Sequence, residues 1–119
     1  MKYLMLIKHA ESWRGQPVPQ GLMDAMGTFV QESFASGLLK DTAGLKSTAS
    51  AFKVQQRGRK LHKVDGPFTE SKEIVGGYAI VEVASHQQAI EVADKFMQLH
   101  VDHWPEFEGE CEVRPCEDM

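Results

Sequence analysis

The sequence is poor in cysteine, in long apolar runs and in basic charge. Its two cysteines, Cys111 and Cys116, are too far apart for a Cys-x-x-Cys zinc or redox motif, and we expect them to be reduced thiols. No apolar run approaches the length of a membrane span, and no small-residue cleavage site follows the short apolar start. Only 13 basic residues stand against 17 acidic ones, and the net charge of −4 disfavours binding to nucleic acid. These shortages predict a cytoplasmic protein with neither a membrane nor a nucleic acid as partner.

The composition itself is typical of a folded globular domain. Apolar residues make up 42% of the 119 residues and charged residues make up 25%. A chain of this length buries about two thirds of the surface that its unfolded form exposes, so it can fold without a metal ion or a disulfide. The sequence contains no Gly-x-Gly-x-x-Gly fingerprint and no Ser or Cys nucleophile motif. We therefore expect one domain over residues 1–119 that uses no cofactor.

Apolar periodicity predicts two helices. The first covers about Gly21–Ser36, which carries a single apolar stripe, and Gly37 behind it suits the left-handed conformation that ends many helices. The second begins at Ser85, whose spacing from Gln88 is that of a capping box. It ends at Trp104, because a residue that precedes proline avoids the helical region.

Apolar and alternating segments predict five strands. They cover Lys2–His9, Ala49–Gln56, Lys60–Val64, Tyr78–Val83 and Glu110–Pro115. The second and third of these form a hairpin, and we expect the basic residues around its turn to be a solvated tip rather than a phosphate site. The resulting order, β-α-β-β-β-α-β, predicts an α+β, ferredoxin-like fold in which two helices cover one face of an antiparallel sheet.

Two helices leave the other face of such a sheet uncovered. That face carries Tyr78, Ile80 and one set of apolar residues from the first strand, which is more apolar surface than monomers usually expose. We therefore expect a homodimer in which two sheets meet face to face. Glu82, Glu112 and Arg114 fall on the same side. This arrangement predicts a cleft between the sheets for a small-molecule ligand, with Glu82 and Arg114 among the binding residues.

A long motif lies at residues 64–78. Its sequence, VDGPFTESKEIVGGY, resembles the signature of the YCII-related, or DGPF-domain, family. The opening MKYLMLI and the closing segment Glu110–Pro115 are also similar to that family, so the resemblance spans nearly the whole chain. It implies a dimeric α+β barrel built from ferredoxin-like subunits.

The resemblance implies less about activity. Relatives include a dehalogenating enzyme that acts on chlorinated lactones, for which a His–Asp pair has been proposed. Members with the DGPF signature are often encoded beside extracytoplasmic-function sigma factors, which implies a regulatory context. Asp65 is the aspartate of the signature, and the resemblance does not assign the histidine.

Three residues are candidates for acid–base catalysis. Asp65 could transfer protons from a turn at a cleft mouth, or its oxygens could simply bond the amides of that turn. His9 ends the first strand, where a cleft could lie. His100 falls on the apolar face of the second helix and could be a general acid or base, or a buried structural histidine. His100 and His103 have the spacing of two metal ligands, but no third ligand follows, and we expect no metal site.

A charged patch follows Asp65 along the chain. Glu70, Lys72 and Glu73 could clamp a polar ligand, with Lys72 as a point charge for a carboxylate. They could equally be a solvated surface with weak local ion pairs.

Two hypotheses for function follow from these residues. The first is a small cofactor-free enzyme of the lyase or isomerase type, which transfers protons on a small, anionic organic substrate. The alternative is a non-catalytic module that binds a small ligand, or a regulatory protein partner, in transcriptional control. Ligand-dependent thermal stabilisation without chemical change of the ligand would indicate the second.

Overall fold

Six strands and two helices make up the chain in a computed structural model that describes residues 1–10, 13, 16–68 and 73–117. The elements are β1 (Lys2–Ala10), α1 (Gln20–Ala35), β2 (Leu39–Gly44), β3 (Phe52–Arg57), β4 (Lys60–Asp65), β5 (Glu73–Glu82), α2 (His86–His103) and β6 (Gly109–Pro115). The predicted α+β, ferredoxin-like fold is confirmed, with both helices on one face of an antiparallel sheet.

The main sheet has the strand order β2-β5-β1-β6, so the two most apolar strands lie at its centre. On the helix side, alternate residues of these strands are buried in the core, among them Tyr3, Met5 and Val81. Ala89 of α2 is buried in the same core, and Val30 of α1 packs against it. Alternation along the strands thus decides which side chains meet the helices.

Local signals set the helix boundaries close to their predicted positions. Gly37 follows α1 with φ of 81°, a conformation that glycine adopts without a steric penalty. The Ser85 hydroxyl accepts the backbone N–H of Gln88 at 3.1 Å, which confirms the predicted cap of α2. Neither helix in the described part of the chain is long and apolar enough to cross a membrane.

One strand, β2, was not predicted, and β5 begins earlier than the sequence indicates. Strand β2 contains lysine, aspartate, alanine and glycine, which have low strand propensity, and its pairing with β5 holds it in the sheet. The predicted strand start at Ala49 was wrong, because Thr48–Ser50 forms a single 3₁₀ turn. Gly77 lies inside β5 rather than at its start. A Cβ at this position would lie 3.0 Å from the carbonyl oxygen of Ala43, so the glycine allows β2 to approach closely.

Strands β3 and β4 form the predicted hairpin, but it lies in a two-stranded sheet separate from the main one rather than within it. Its turn contains Gly58, with φ of 63°. At its root, the Gly66 N–H donates to the Ala51 carbonyl at 2.8 Å, and a Cβ at Gly66 would overlap with the carbonyl oxygen of Thr48. The glycine of the Asp-Gly-Pro-Phe motif is therefore required for close backbone packing at the hairpin root.

Candidate functional site

A cavity of about 550 Å³ lies between the helices and the sheet. Volumes of this order are typical of small-molecule sites. Every main-sheet strand and both helices contribute to its wall, which is mainly aliphatic and aromatic. Among the described residues that line it, none is Lys, Arg, Asp or Glu, so its polar chemistry rests on a few side chains that include His9 and His100.

His100 projects from the last turn of α2 into the core and is only 7% exposed. Its Nδ1 lies 3.2 Å from the carbonyl oxygen of Phe96. Because a carbonyl only accepts, Nδ1 carries the proton and Nε2 of the neutral ring is left as an acceptor. Burial lowers the pKa of His100 below its ordinary value of 6.5, and the hydrogen bond to Phe96 only partly offsets this effect. The ring is therefore a neutral proton acceptor at pH 7.

His9 lies near the end of β1 on the helix side of the sheet and has the same hydrogen-bond pattern. Its Nδ1 donates to the Ala10 carbonyl at 2.9 Å, which again leaves Nε2 as the acceptor. The β1–β5 register shifts beside this residue, so that Gly76 is an extra residue in β5. A Cβ at Gly76 would lie 2.5 Å from Nε2 of His9. The bulge and its glycine therefore make room for the imidazole.

An aromatic cluster joins the two histidines at one end of the cavity. The Phe107 ring stacks on Trp104 with centroids 5.0 Å apart and meets Trp13 at 5.5 Å. The same ring lies 5.2 Å from the His100 ring and 6.1 Å from the His9 ring, measured between centroids. Edge-on and offset contacts of this kind are favourable and hold the rings in place. Phe107 therefore fixes the position of both imidazoles relative to the cavity.

Cys111 also lines the cavity, from β6. Burial raises the pKa of its thiol above the ordinary value, so the protonated form is favoured. Because the thiolate is the nucleophile, Cys111 acts here as a wall residue rather than as a reactive group.

Asp65 is the predicted catalytic residue that the structure places outside this cavity. It ends β4 on the hairpin, where its carboxylate is exposed and lies 3.4 Å from Lys63 Nζ. It does not line the cavity that contains His9 and His100. Within one chain the structure therefore brings the two histidines to a common site and leaves the aspartate apart from them.

The predicted binding residues lie on the other face of the sheet or outside the described residues. Glu82 accepts the amino terminus at 3.2 Å, and Arg114 Nε donates to Glu112. Glu70 and Lys72 lie outside the described residues.

Glu112 binds two cations on that face of the sheet. Its second oxygen accepts Lys8 Nζ at 2.7 Å. The hydrogen bonds from Lys8 and then from Arg114 hold the pKa of Glu112 below its ordinary value. This group is a salt-bridged cluster at the margin of the uncovered face.

The uncovered face itself has the predicted residues. Cross-strand pairing places Leu4 opposite Ile80 and Leu6 opposite Tyr78, on the side away from the helices. All four side chains are half-buried. The Tyr78 hydroxyl donates to Asp41 at 2.9 Å, and this bond raises the pKa of Tyr78. The predicted cleft between two such faces stays a prediction, and the cavity on the helix side is an additional site.

Sequence reasoning identified both histidines but missed the aromatic cluster. Of its three members, sequence reasoning considered only Trp104, as the residue at which the second helix ends. The available signal was that three large aromatic residues lie in the connections after β1 and α2, where polar residues are usual.

Comparison with known protein families gives a match over most of the chain. A model of the YCII-related domain matches residues 1–101, which include β1 to β5 and most of α2. No curated protein matches the chain significantly. The match contains both histidines and ends before Trp104 and Phe107.

Proposed function

The chain belongs to the YCII-related domain family, and we propose that it binds a small, largely apolar organic molecule in the helix-side cavity and transfers a proton on it. The observation that carries this proposal is a pair of imidazoles, His9 and His100, each with Nδ1–H held by a carbonyl and Nε2 left as an acceptor. Both lie in one cavity with an apolar wall. A neutral imidazole in such a place is suited to general-base catalysis.

The reaction that fits this arrangement begins at a carbon acid. Nε2 of His100 takes a proton from a carbon next to a carbonyl, and the electron pair of the broken C–H bond moves into the carbonyl to form an enol or enolate. In a β,γ-unsaturated substrate, return of the proton from His100 to the γ carbon completes an isomerisation. In a substrate with a leaving group on the β carbon, the enolate expels that group with its electron pair as the carbonyl re-forms, and His100 passes its proton to the departing group or to water. The lowered pKa of His100 keeps the base unprotonated at neutral pH.

An uncharged ligand suits the cavity better than the anionic substrate that the sequence suggested. No lysine or arginine is found among the described residues of the wall. A carboxylate moved into an apolar wall without a cationic partner would lose its hydration with little compensation. Aromatic rings of the cluster, such as Phe107 and Trp104, offer faces and edges to a flat or cyclic molecule.

Two measurements test this proposal. A library of small uncharged ketones, lactones and enones is screened for thermal stabilisation, which rises with ligand concentration above the dissociation constant. Each binder is then incubated with the protein in D₂O, and incorporation of deuterium at the acidic carbon is followed by NMR. We expect wild-type protein to bind and to catalyse exchange, and His100→Gln to bind while losing at least about tenfold of the exchange rate.

His62→Gln is the matched control, because His62 lies on the exposed hairpin away from the cavity. It should exchange deuterium at the wild-type rate. Equal exchange rates in His100→Gln, His9→Gln and wild-type protein would rule out the catalytic role of both imidazoles. Failure of every compound to stabilise the protein would rule out the cavity as a site for this ligand class.

A non-catalytic role in ligand binding or regulation is the second candidate. It is favoured by the composition of the wall, where the described residues include no carboxylic acid or lysine to return a proton from the opposite side of a substrate. Binding without deuterium exchange, with the ligand recovered unchanged by mass spectrometry, would favour this candidate.

We also propose that two copies pair through the uncovered face of the sheet. Leu4, Leu6, Tyr78 and Ile80 form a continuous apolar patch there, and the cluster of Lys8, Glu112 and Arg114 gives it a polar margin. An apolar centre with a polar rim is the usual composition of a protein interface. Sedimentation velocity over a range of concentrations tests for the dimer.

A further inference from the structure

We propose that the hairpin of β3 and β4 is an arm that packs against a second copy of this chain. The two strands pair with each other and form a sheet separate from the main one. The radius of gyration is 16.2 Å, whereas a compact domain of this length has about 13–14 Å. The hairpin therefore extends away from the body of its own subunit.

One side of this arm, called the apolar side, exposes three large apolar residues next to the Lys63–Asp65 ion pair. Phe52 and Val54 alternate along β3, and Leu61 lies on the same side of β4 in the cross-strand register. Their exposed fractions are 62%, 57% and 72%, which are the values of an uncovered surface. Lys63 Nζ lies 5.4 Å above the Phe52 ring and covers only part of it. Large apolar side chains grouped on one surface indicate a protein contact.

Charge identifies the second copy as the partner. Residues 52–65 contain five Lys or Arg and one acidic residue, a net charge of +4. The remaining residues contain eight basic and 16 acidic groups, a net charge of −8. Exposed Glu106, Glu108 and Glu110 form one dense acidic run of the body. The arm of one copy is therefore complementary in charge to the body of another.

Contacts at the root of the arm fix its direction relative to the rest of the subunit. Gly66 packs against the backbone of Thr48, and the Phe68 N–H donates to the Thr48 hydroxyl at 3.3 Å. Lys53 Nζ, on the polar side of the arm, lies 4.7 Å above the Phe68 ring. A preformed arm loses less conformational entropy on association than a loose loop would lose.

Nucleic acid is the other partner that a basic hairpin could suit, and two observations count against it. The exposed apolar side chains would gain little from a phosphate backbone, which rewards Lys and Arg contacts. The acidic body would be repelled by the phosphates that flank any contact of the arm. An acidic protein surface that also offers apolar side chains suits both the basic and the apolar residues of the arm.

The test compares two double variants of the arm that differ in the side they change. Val54→Asp with Leu61→Asp adds two negative charges on the apolar side. Gln55→Asp with His62→Asp adds the same charge at a directly paired position on the polar side. The dimer dissociation constant is measured for each by sedimentation velocity, and circular dichroism checks that each protein is folded.

We expect the apolar-side variant to weaken the dimer about tenfold to a hundredfold more than the polar-side variant. In wild-type protein, added salt should weaken the dimer, since the attraction between arm and body is screened. Equal dissociation constants for both variants and wild-type protein would overturn the proposal, and so would a wild-type chain that stays monomeric. Tight, salt-dependent binding of a labelled DNA duplex that the arm variants abolish would overturn it in favour of nucleic acid.

This inference is independent of the cavity proposal and adds a second contact to the proposed pairing of sheets. The two contacts can be separated, because Ile80→Lys changes only the sheet face and the arm variants change only the hairpin. Both arm variants should bind cavity ligands with wild-type affinity, so a failure of the arm and a failure of the cavity give different results.

Discussion

The two faces of the main sheet use the same strands for different purposes. On the helix side, Tyr3, Met5 and Val81 are buried, and beyond them lies a cavity with two imidazoles. On the opposite side, Leu4 and Ile80 are half-buried with neither described helix over them. Residues one position apart in β1 therefore belong to a ligand-sized interior in one case and to a flat apolar surface in the other.

The polar groups of the two faces differ in the same way. His100 on the helix side is kept neutral by burial and by a carbonyl partner. Glu112 on the open side is kept ionised by Lys8 and Arg114. The difference shows that a buried site uses groups that tolerate loss of water, whereas the margin of an open sheet face can use ions that keep part of their hydration.

Leu22 lies on the helix side of the sheet, and its truncation should give the largest loss of stability. Leu22 is 1% exposed, and Leu22→Ala should lower the free energy of unfolding by about 2–5 kcal/mol, because it removes contacts and enlarges the cavity. Urea denaturation measures the loss. The neighbouring Met23→Ala is the control, since Met23 is 51% exposed and should cost roughly 0.5 kcal/mol or less. Equal losses of stability would mean that Leu22 is packed no more tightly than the exposed Met23.

A charge placed on the open face should give the next largest effect, on assembly rather than on folding. Ile80→Lys should weaken the dimer by roughly a hundredfold, because each copy would bury an unpaired ammonium group. Val101→Lys on exposed α2 is the matched control and should leave the dissociation constant unchanged. An unchanged dimer in Ile80→Lys would show that the open face is not the interface.

The pH dependence of stability should distinguish the two faces, because His100 on the helix side and Glu112 on the open side titrate in different pH ranges. Because the folded pKa of His100 lies below 6.5, the unfolded chain takes up a proton first as the pH falls below 6.5, and the folded state loses stability until its own pKa is reached. His100→Gln should remove this loss.

Glu112 has the opposite dependence in a lower window. Its folded pKa lies below 4.5, so the stabilisation it provides is complete above that pH and is lost as the pH falls through the folded value. Glu112→Gln should flatten the stability curve only below about pH 5. A loss near pH 6 that survives in His100→Gln would contradict the assignment of that window to the buried ring.

The smallest expected effect comes from a pair of tyrosine hydroxyls on opposite faces. The buried Tyr3 hydroxyl lies 3.0 Å from His86 Nδ1, and Tyr3→Phe should cost about 0.5–1.5 kcal/mol. Tyr78→Phe removes the hydroxyl that bonds Asp41 on the open face, where water can replace it in a single subunit. At a protein concentration below the dissociation constant of the proposed dimer, the midpoint of urea unfolding should therefore not change. Equal costs would show that the open face is as dry as the core.

The fold could be predicted because its main signals are local. The apolar run of β1 and the helix cap at Ser85 depend on neighbouring residues, and the strand and the cap were both confirmed. Strand β2 could not be predicted, because its backbone is extended through pairing with β5, about 40 residues further along the chain.

The site was only partly predictable for the same reason. His9 and His100 stand out by residue type and by their positions at the ends of elements, so they could be proposed. Their common position in one cavity could not be predicted. Phe107, which contacts both rings, lies in a short connection that has no apolar periodicity. Asp65 was grouped with them through a motif, and motif membership does not measure distance in space.

The family match ends at residue 101, between the two kinds of residue that build the cavity. Both imidazoles lie before that point, whereas Trp104 and Phe107 lie after it. Under the proposed function, substitution of Trp104 or Phe107 should change which molecules the cavity accepts, and substitution of Phe107 should also shift the two imidazole rings that it contacts.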